Sequence, residues 1–201
     1  MSKGNKQFIL ASASKTRREM LSNAGMTFDV VPADLDEEGL IGQNAKLAPK
    51  DKAILLAEAK ARHISKTYPR DLVIGSDQIL EFEGGVLQKA SNLEAALDKL
   101  RRLSGKSHHL ISAVAVAKAG EILWSYHESA TLHMRSLEEA ELENYIELAG
   151  DGVYRSVGAY ELEGPGLHLF ESVKGDFFTI LGLPLLSLLC YLRTNHDLTA
   201  F

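Results

Sequence analysis

The 201-residue sequence contains little cysteine and no excess of positive charge. Its single cysteine, Cys190, excludes an internal disulfide and is typical of a reducing compartment. Because Cys190 lies among leucines, we expect it to be a small residue of the core. A formal net charge of -5 argues against a protein that wraps nucleic acid, which would be strongly basic. A small phosphorylated substrate is compatible with this charge, because a local basic pocket is enough to bind it.

Long hydrophobic runs are also missing. No apolar run reaches the roughly 18 residues that a membrane-spanning helix needs, and residues 1–6 lack the apolar region of a signal peptide. The sequence therefore predicts a cytoplasmic protein that binds neither membrane nor nucleic acid. It has no Walker A, GxSxG or Rossmann motif, and its histidines show no zinc-ligand spacing. Without repeats or linkers, residues 1–201 are expected to form one domain, with 194–201 as a tail.

The stretch of residues 8–21 combines a short apolar strand with a basic helix start. The strand breaks at Ser12 and Ser14, and the first helical turn carries Lys15, Arg17 and Arg18. Cations at a helix N-terminus oppose the helix dipole, and a bound anion would relieve that conflict. The pattern indicates a phosphate site, although Ser14 acting only as a helix cap beside solvated cations explains it equally well.

Apolar periodicity and turn residues predict alternating strands and helices along the rest of the chain. Such a mixture, with long antiparallel pairs, is typical of an α/β fold built on an elongated mixed sheet flanked by helices. The predicted helices are 15–24, 49–66, 93–104, 136–149 and 184–193. The predicted strands are 7–11, 27–31, 72–75, 79–82, 86–87, 110–119, 122–134, 167–173 and 177–180.

Polar residues interrupt this pattern in a way that suits a polyphosphate. Asp36 and Glu37 lie in a predicted acidic loop, and Asp77 directly follows the buried strand 72–75, where α/β folds commonly place sites. Carboxylates and substrate phosphates together hold Mg²⁺, and one carboxylate could activate water. Lys60 and Lys89 would add cations. Taken singly, however, these loop carboxylates and lysines are typical solvated residues.

Eight motifs in order resemble the Maf family of nucleotide pyrophosphatases over nearly the whole chain. The resemblance implies two lobes with a central cleft, as in inosine-triphosphate pyrophosphatases, and a homodimer. It also implies hydrolysis of a nucleoside triphosphate to the monophosphate and pyrophosphate, with Mg²⁺ or another divalent cation such as Mn²⁺. The motifs are Leu10-Ala11-Ser12-Ala13-Ser14-x-x-Arg17, Asp36-Glu37, Ala59-Lys60-Ala61, Ser76-Asp77, Lys89, Leu103-Ser104-Gly105-x-x-His108, Gly158-Ala159-Tyr160-x-x-Glu163-Gly164 and Gly182-Leu183-Pro184-Leu185.

The resemblance also implies roles for individual residues. Asp77 matches the proton acceptor and could also bind the metal, and Glu37 matches a carboxylate near the metal and the water. Arg18 matches no functional position and is expected to be solvated. The positions that hold the phosphates are matched by Ser12, Arg17, Lys60 and Lys89.

Two residues resemble the branch of the family that acts on 7-methyl-GTP. Gln78 and Glu163 stand where the dTTP/UTP branch would show Thr and Gln. A carboxylate accepts both donors of the guanine Watson–Crick edge, and the cationic methylated base adds attraction. Thr16 departs from both branches, which tend to have Trp or Arg there. Three alternatives stay open: a dTTP/UTP pyrophosphatase, a general inosine-triphosphate pyrophosphatase and a nucleotide-binding regulator of septum formation.

Overall fold

The computed structural model describes residues 7–196 and 198, which form a mixed sheet flanked by helices. The chain order is β1 (Phe8–Leu10), α1 (Lys15–Asn23), β2 (Phe28–Val30), α2 (Glu37–Gln43), α3 (Pro49–Thr67), β3 (Leu72–Phe82), β4 (Gly85–Leu87), α4 (Leu93–Leu103), β5 (Ser107–Lys118), β6 (Glu121–Met134), α5 (Glu139–Ala149), α6 (Gly152–Arg155), a 3-10 helix (Pro165–Leu169), β7 (Phe170–Lys174), α7 (Phe177–Ile180) and α8 (Leu185–His196).

The sheet joins a parallel part to an antiparallel part. Its strand order is β2-β1-β3-β5-β6-β7, and β4 pairs with the end of β3 on the side opposite β5. β1 runs parallel to both β2 and β3, whereas β3, β5 and β6 form long antiparallel pairs. The predicted α/β class and mixed sheet are therefore confirmed.

Two hydrophobic clusters share the central strand β3. Its first half contributes Leu72 and Ile74 to a cluster that includes the buried face of α8. Its second half contributes Leu80 and Phe82 to a cluster built with α4 and α5. Between the clusters the strand carries the polar residues 76–78. The polar residues therefore lie where one apolar cluster ends and the next begins.

Helix α3 packs closely on β3 because of a glycine. A Cβ added at Gly75 would lie 2.3 Å from the carbonyl oxygen of Ala57 and 2.6 Å from the amide nitrogen of Ala61. Only a residue without a side chain lets the two backbones approach this closely. This contact sets the height of α3 above the middle of β3, where the polar residues lie.

Side-chain caps fix where several helices begin. The Ser14 hydroxyl accepts from the Arg17 amide at 3.3 Å, as expected for an N-cap. Helix α4 is capped by Asn92, whose side chain accepts from Ala95 at 2.8 Å. A capping box formed by Glu138 and Glu141 starts α5 at Glu139, so this helix begins three residues after the predicted start at 136.

Four predicted segments differ in the structure. The strand predicted at 167–173 begins only at Phe170, because residues 165–169 form the 3-10 helix. Residues 177–180 form a helix and not a strand, because Asp176 caps that turn by accepting from the Thr179 amide at 2.8 Å. The acidic loop is shorter than predicted, since Asp36 caps α2 and Glu37 is its first residue. The strands predicted at 72–75 and 79–82 are one strand, so Asp77 lies inside β3 and not at a strand end.

The C-terminal segment also corrects two expectations. Helix α8 extends to His196, so the first residues of the predicted tail 194–201 are helical. Leu198 packs against the α8 cluster, while 197 and 199–201 lie outside the described residues. Cys190 is exposed and not in the core, because α8 buries Leu185, Leu188 and Leu192 instead. In the described part of the chain, no helix is both long enough and apolar enough to cross a bilayer.

Candidate active site

A large cavity opens over the middle of β3. Its volume is about 1060 Å³, at the upper end of the range for small-molecule sites. The turn before α1 and the first residues of α1 form one wall, and residues 154–163 form another. α2, α3 and the segment after β4 complete the lining. All nine predicted site residues line this cavity: Ser12, Thr16, Arg17, Glu37, Lys60, Asp77, Gln78, Lys89 and Glu163.

An ammonium group between two carboxylates forms the centre of the cavity. Lys60 Nζ lies 2.6 Å from Asp77 Oδ1 and 2.9 Å from Glu37 Oε1. Lys60 and Asp77 are only 8% and 7% exposed, so neither is the solvated residue that its type alone would suggest. Burial follows from the close packing of α3 on β3, since Lys60 projects from α3 directly above Asp77.

The surroundings of the Asp77 carboxylate increase its affinity for a proton. Burial raises the pKa of the Asp77 carboxyl above its ordinary value, although the charges of Lys60 and Arg17 act in the opposite direction. A carboxylate with a raised pKa is a better proton acceptor than an exposed one. Asp77 is therefore equipped to take a proton from a water molecule in the cavity.

Hydrogen bonds to three oxygen atoms hold the side chain of Arg17 beside the turn that precedes α1. Its Nε donates to the carbonyl of Gly182 at 2.8 Å, and Nη1 donates to the carbonyl of Ser76 at 2.9 Å and to Ser12 Oγ at 3.2 Å. Burial lowers the pKa of the guanidinium, which the charges of Asp77 and Glu37 oppose. The side chain is thus held beside Ser12 with its charge toward the carboxylates. Arg18, in contrast, is exposed and outside the cavity lining.

The segment after β4 brings a further cation to the cavity. Lys89 is exposed and lines the cavity. The same cavity is therefore lined by all four residues that are predicted to bind phosphates: Ser12, Arg17, Lys60 and Lys89. Such a ring of positive and hydroxyl groups can neutralise and orient a polyphosphate.

The residues assigned to base recognition lie at two levels of the cavity. Thr16 Oγ1 is 3.4 Å from Glu163 Oε1, so these two residues from distant parts of the chain meet at the exposed rim. Gln78 lies deeper. Its Nε2 donates to Ser112 Oγ at 3.0 Å and to the carbonyls of Thr179 and Ile180 at 3.2 and 2.9 Å. The amide nitrogen of Gln78 therefore holds α7 against β3, which leaves its oxygen for a ligand.

Sequence reasoning missed an ion pair in the same wall. Arg155 Nε and Nη2 donate to Glu161 Oε1 and Oε2 at 2.8 and 2.9 Å, and both residues line the cavity. Arg155, with a smaller contribution from Lys15, lowers the pKa of the Glu161 carboxyl. Residues 151–163 show no apolar periodicity, and the pair has no motif of its own. The sequence therefore carried no signal for it.

The donor set at the centre suits a magnesium ion bound with phosphates. Glu37 and Asp77 converge on one ammonium nitrogen, so their oxygens already share a cation position. No group of three or more His, Cys, Asp or Glu able to hold a metal occurs among the described residues. Mg²⁺ needs only one or two carboxylates when phosphates and water complete its shell. Glu37 and Asp77 could therefore hold it together with a bound triphosphate.

Comparison with known proteins gives a consistent set of relatives. A sequence model of the family described as Maf-like protein matches residues 7–195. The chain is 46% identical to a nucleoside triphosphate pyrophosphatase of Rhodopseudomonas palustris, with 96% of each chain covered. It is 44% identical to a 7-methyl-GTP pyrophosphatase of Mesorhizobium japonicum, over 94% of this chain and 96% of that one. A nucleoside-triphosphatase (dITP/XTP pyrophosphatase) structure from Mycobacterium abscessus aligns with a TM-score of 0.40, 14% identity, and 65% and 75% coverage of this chain and that chain.

Proposed function

The chain belongs to the Maf family, and from that premise we propose that it is a nucleoside triphosphate pyrophosphatase acting on 7-methyl-GTP with Mg²⁺ as cofactor. The proposal rests on the Asp77–Lys60–Glu37 cluster, in which Asp77 and Lys60 are buried, inside a cavity that is also lined by the cations Arg17 and Lys89. The similar proteins of R. palustris and M. japonicum are named as pyrophosphatases, which supports the reaction, and the second is named for 7-methyl-GTP, which supports the substrate.

The reaction adds water across the α–β phosphoanhydride. The water oxygen bonds to phosphorus, the bond to the bridging oxygen breaks, and pyrophosphate leaves with the bonding electron pair. Asp77 accepts the proton that the water loses, for which its raised pKa is suited. Negative charge grows on the leaving pyrophosphate, and Arg17, Lys60 and Lys89 are placed to stabilise it.

Two carboxylates fit the proposed cofactor. Glu37 and Asp77 would hold Mg²⁺ against the phosphates, where the ion supplies charge neutralisation. Lys60 stands between the same carboxylates. It keeps them from repelling each other before substrate binds, and its ammonium is near enough to contact phosphate oxygens once they enter.

The base would bind at the rim. Glu163 lies beside Thr16 with its carboxylate exposed in the cavity wall, where it can accept the N1–H and N2–H groups of guanine. A 7-methylguanine ring is cationic, so its hydrogen bonds to Glu163 would be charge-assisted and stronger than those of guanine. The preference for 7-methyl-GTP therefore rests on a charged acceptor at this position.

A nucleotide panel tests the proposal. Pyrophosphate release is measured with 7-methyl-GTP, GTP, dTTP, UTP and ITP, each with Mg²⁺ and with EDTA. We expect metal-dependent release, fastest with 7-methyl-GTP. Asp77→Asn should lower kcat by about 10²–10⁴-fold, the usual contribution of a general base. Asp71→Asn is the matched control, since Asp71 precedes β3 and does not line the cavity.

Each other outcome of the panel identifies what is wrong. If pyrophosphate release is fastest from dTTP or UTP, the proposed substrate is wrong but the proposed reaction stands. Release that persists in EDTA would overturn the role of Mg²⁺, and near-wild-type release by Asp77→Asn would overturn the role of Asp77. Tight nucleotide binding without release from any of the five nucleotides would contradict the enzyme and favour a nucleotide-binding regulator of septum formation.

We further propose that the protein is a cytoplasmic homodimer that binds neither nucleic acid nor membrane. The acidic net charge and the single cysteine support this setting. Light scattering after gel filtration should give twice the chain mass of 22.0 kDa. A mass equal to one chain at micromolar concentration would contradict the dimer.

A further inference from the structure

Lys99 is a buried lysine on α4 whose ammonium contacts only main-chain oxygens. The residue is 8% exposed. Its Nζ donates to the carbonyl of Val157 at 2.9 Å and also to the carbonyl of Gln88. Among residues 7–196 and 198 it forms no ion pair with a carboxylate. Burying a charge without a counter-charge costs free energy, so the buried ammonium of Lys99 should have a structural or functional role.

The two carbonyls belong to two separate segments that line the active-site cavity. Gln88 follows β4 and directly precedes Lys89, the cation of the phosphate wall. Val157 begins the part of residues 154–163 that carries Glu161 and Glu163. No strand pairing joins these segments, because β4 pairs with β3 only through residues 85–87. Lys99 is thus the hydrogen-bonded link between them.

We propose that Lys99 is a positioning residue. Its ammonium sets the spacing between the segment with Lys89, which binds the phosphates, and residues 157–163, which bind the base. This inference rests on the proposed function for what the walls bind. A single ammonium has three donors, so it can hold two carbonyls at once in a fixed geometry. Rigid α4, which buries Ala96, Leu100 and Leu103, supplies the anchor.

The charges around Lys99 agree with this role. Burial, with a smaller contribution from the charge of Arg102 on the same helix, lowers the pKa of the ammonium to about 8. Asp98 and Lys89 line the small adjoining cavity of about 340 Å³. The lysine is therefore mainly charged at neutral pH and loses its charge in mildly alkaline solution.

Hydrogen exchange tests the link without using catalysis. Amide exchange is followed by mass spectrometry in free wild-type protein, Lys99→Met and Arg102→Met. We expect Lys99→Met to exchange about tenfold faster in peptides covering 86–91 and 154–163, with unchanged exchange in α1 and β1. Arg102→Met, an exposed cation on the same helix, should behave as wild type. Unchanged protection of the two segments, or a uniform loss over the chain, would overturn the proposal.

A kinetic measurement separates positioning from stability. Lys99→Met should raise KM for 7-methyl-GTP about tenfold and reduce its preference over GTP, while kcat changes less than threefold. A lysine that only stabilised the fold would leave that preference unchanged. If wild type releases no pyrophosphate, the proposed function fails while the exchange result still decides the role of Lys99.

Wild-type protein alone provides a second test should Lys99→Met not fold. Exchange at pH 7 and pH 9 is compared after correction for the intrinsic rate. Protection should fall in 86–91 and 154–163 at pH 9 and remain in α1. Equal protection at both pH values in these segments would overturn the role of the charged ammonium.

Discussion

At the scale of single residues, position in the fold decides which charged side chains the site uses. Lys60 and Lys99 are both 8% exposed, and each contacts groups that line the active-site cavity. Arg18, in the same turn as Arg17, is exposed and outside the cavity lining. Residue type alone does not distinguish these lysines from solvated ones, because the burial arises from helices packing on the sheet.

Replacing the rim carboxylate should change which base is preferred. Glu163→Gln keeps the side-chain shape but replaces one acceptor oxygen by a donor, which opposes the donors of guanine. Loss of a charge-assisted hydrogen bond costs roughly 1.5–3 kcal/mol. We expect kcat/KM for 7-methyl-GTP to fall on the order of 10–100-fold, as measured by pyrophosphate release, with little change for UTP.

The matched control for this variant is Glu143→Gln on the exposed face of α5, which should keep wild-type preference. If Glu163→Gln and wild type rank the nucleotides identically, the carboxylate does not select the base.

At the scale of elements, the pairing of α3 with β3 creates the catalytic cluster. α3 carries Lys60 and β3 carries Asp77, and the salt bridge of 2.6 Å exists because the two backbones meet at Gly75. A movement of α3 away from β3 would lengthen the distance between the ammonium of Lys60 and the carboxylate of Asp77. The geometry of the site therefore depends on a residue with no functional group.

Adding one methyl group at that contact should damage both stability and activity. Gly75→Ala places a Cβ 2.3 Å from the Ala57 carbonyl, so α3 must move away from β3. Overpacking of this kind costs typically 1–3 kcal/mol. We expect a lower urea midpoint and at least a tenfold loss of kcat, because Lys60 and Asp77 separate.

Gly42→Ala in α2 is the control, since a Cβ there meets nothing within 4 Å. It should be neutral or stabilising by up to about 1 kcal/mol, the difference in helix propensity. Wild-type kcat in Gly75→Ala would contradict the dependence of the site on this contact.

How far the sequence predicted these elements depends on what signals them. Apolar periodicity and capping residues predicted α1 and the β5–β6 pair well, because those signals are local. Residues 177–180 were predicted as a strand because their apolar run fits either structure, and the cap at Asp176 decided for a helix. Asp77 lines the cavity, but the prediction that it follows the end of a strand is wrong, since β3 does not end before it. Long-range partners such as Arg155 with Glu161 have no local signal.

At the scale of the whole molecule, one apolar cluster encloses a histidine. His108 is fully buried, and its Nε2 is 2.6 Å from the hydroxyl of Tyr160. Its Nδ1 has no partner in the described chain. Burial lowers the pKa of His108 to about 4, and nearby His109 contributes in the same direction. The folded protein therefore excludes a proton that the unfolded chain accepts at about pH 6.5.

Stability should accordingly fall on acidification through this window. Between about pH 6.5 and 4 the unfolded chain binds one more proton at His108 than the folded chain does. The free energy of unfolding therefore falls as the pH is lowered, by up to about 3 kcal/mol. Urea unfolding at pH 7.5, 6.0 and 5.0, at constant protein concentration, measures it. His108→Gln should be less stable at pH 7.5 yet lose less stability on acidification.

His168→Gln is the control, because His168 is exposed, and it should follow the wild-type pH dependence. Identical slopes for wild type and His108→Gln would mean that another group causes the acid sensitivity.

The uninterrupted β3 strand has a mechanical consequence for the cleft. A hinge needs a few residues free to change φ and ψ, but β3 is paired with β5 from Val73 to Glu81, straight through the polar middle. The two apolar clusters therefore cannot rotate relative to each other about a hinge in this strand. The part of β3 that forms the base of the active-site cavity is rigid, and the rim at 154–163 adjusts to different bases. Changes that broaden the range of accepted nucleotides should accumulate on that rim and spare β3.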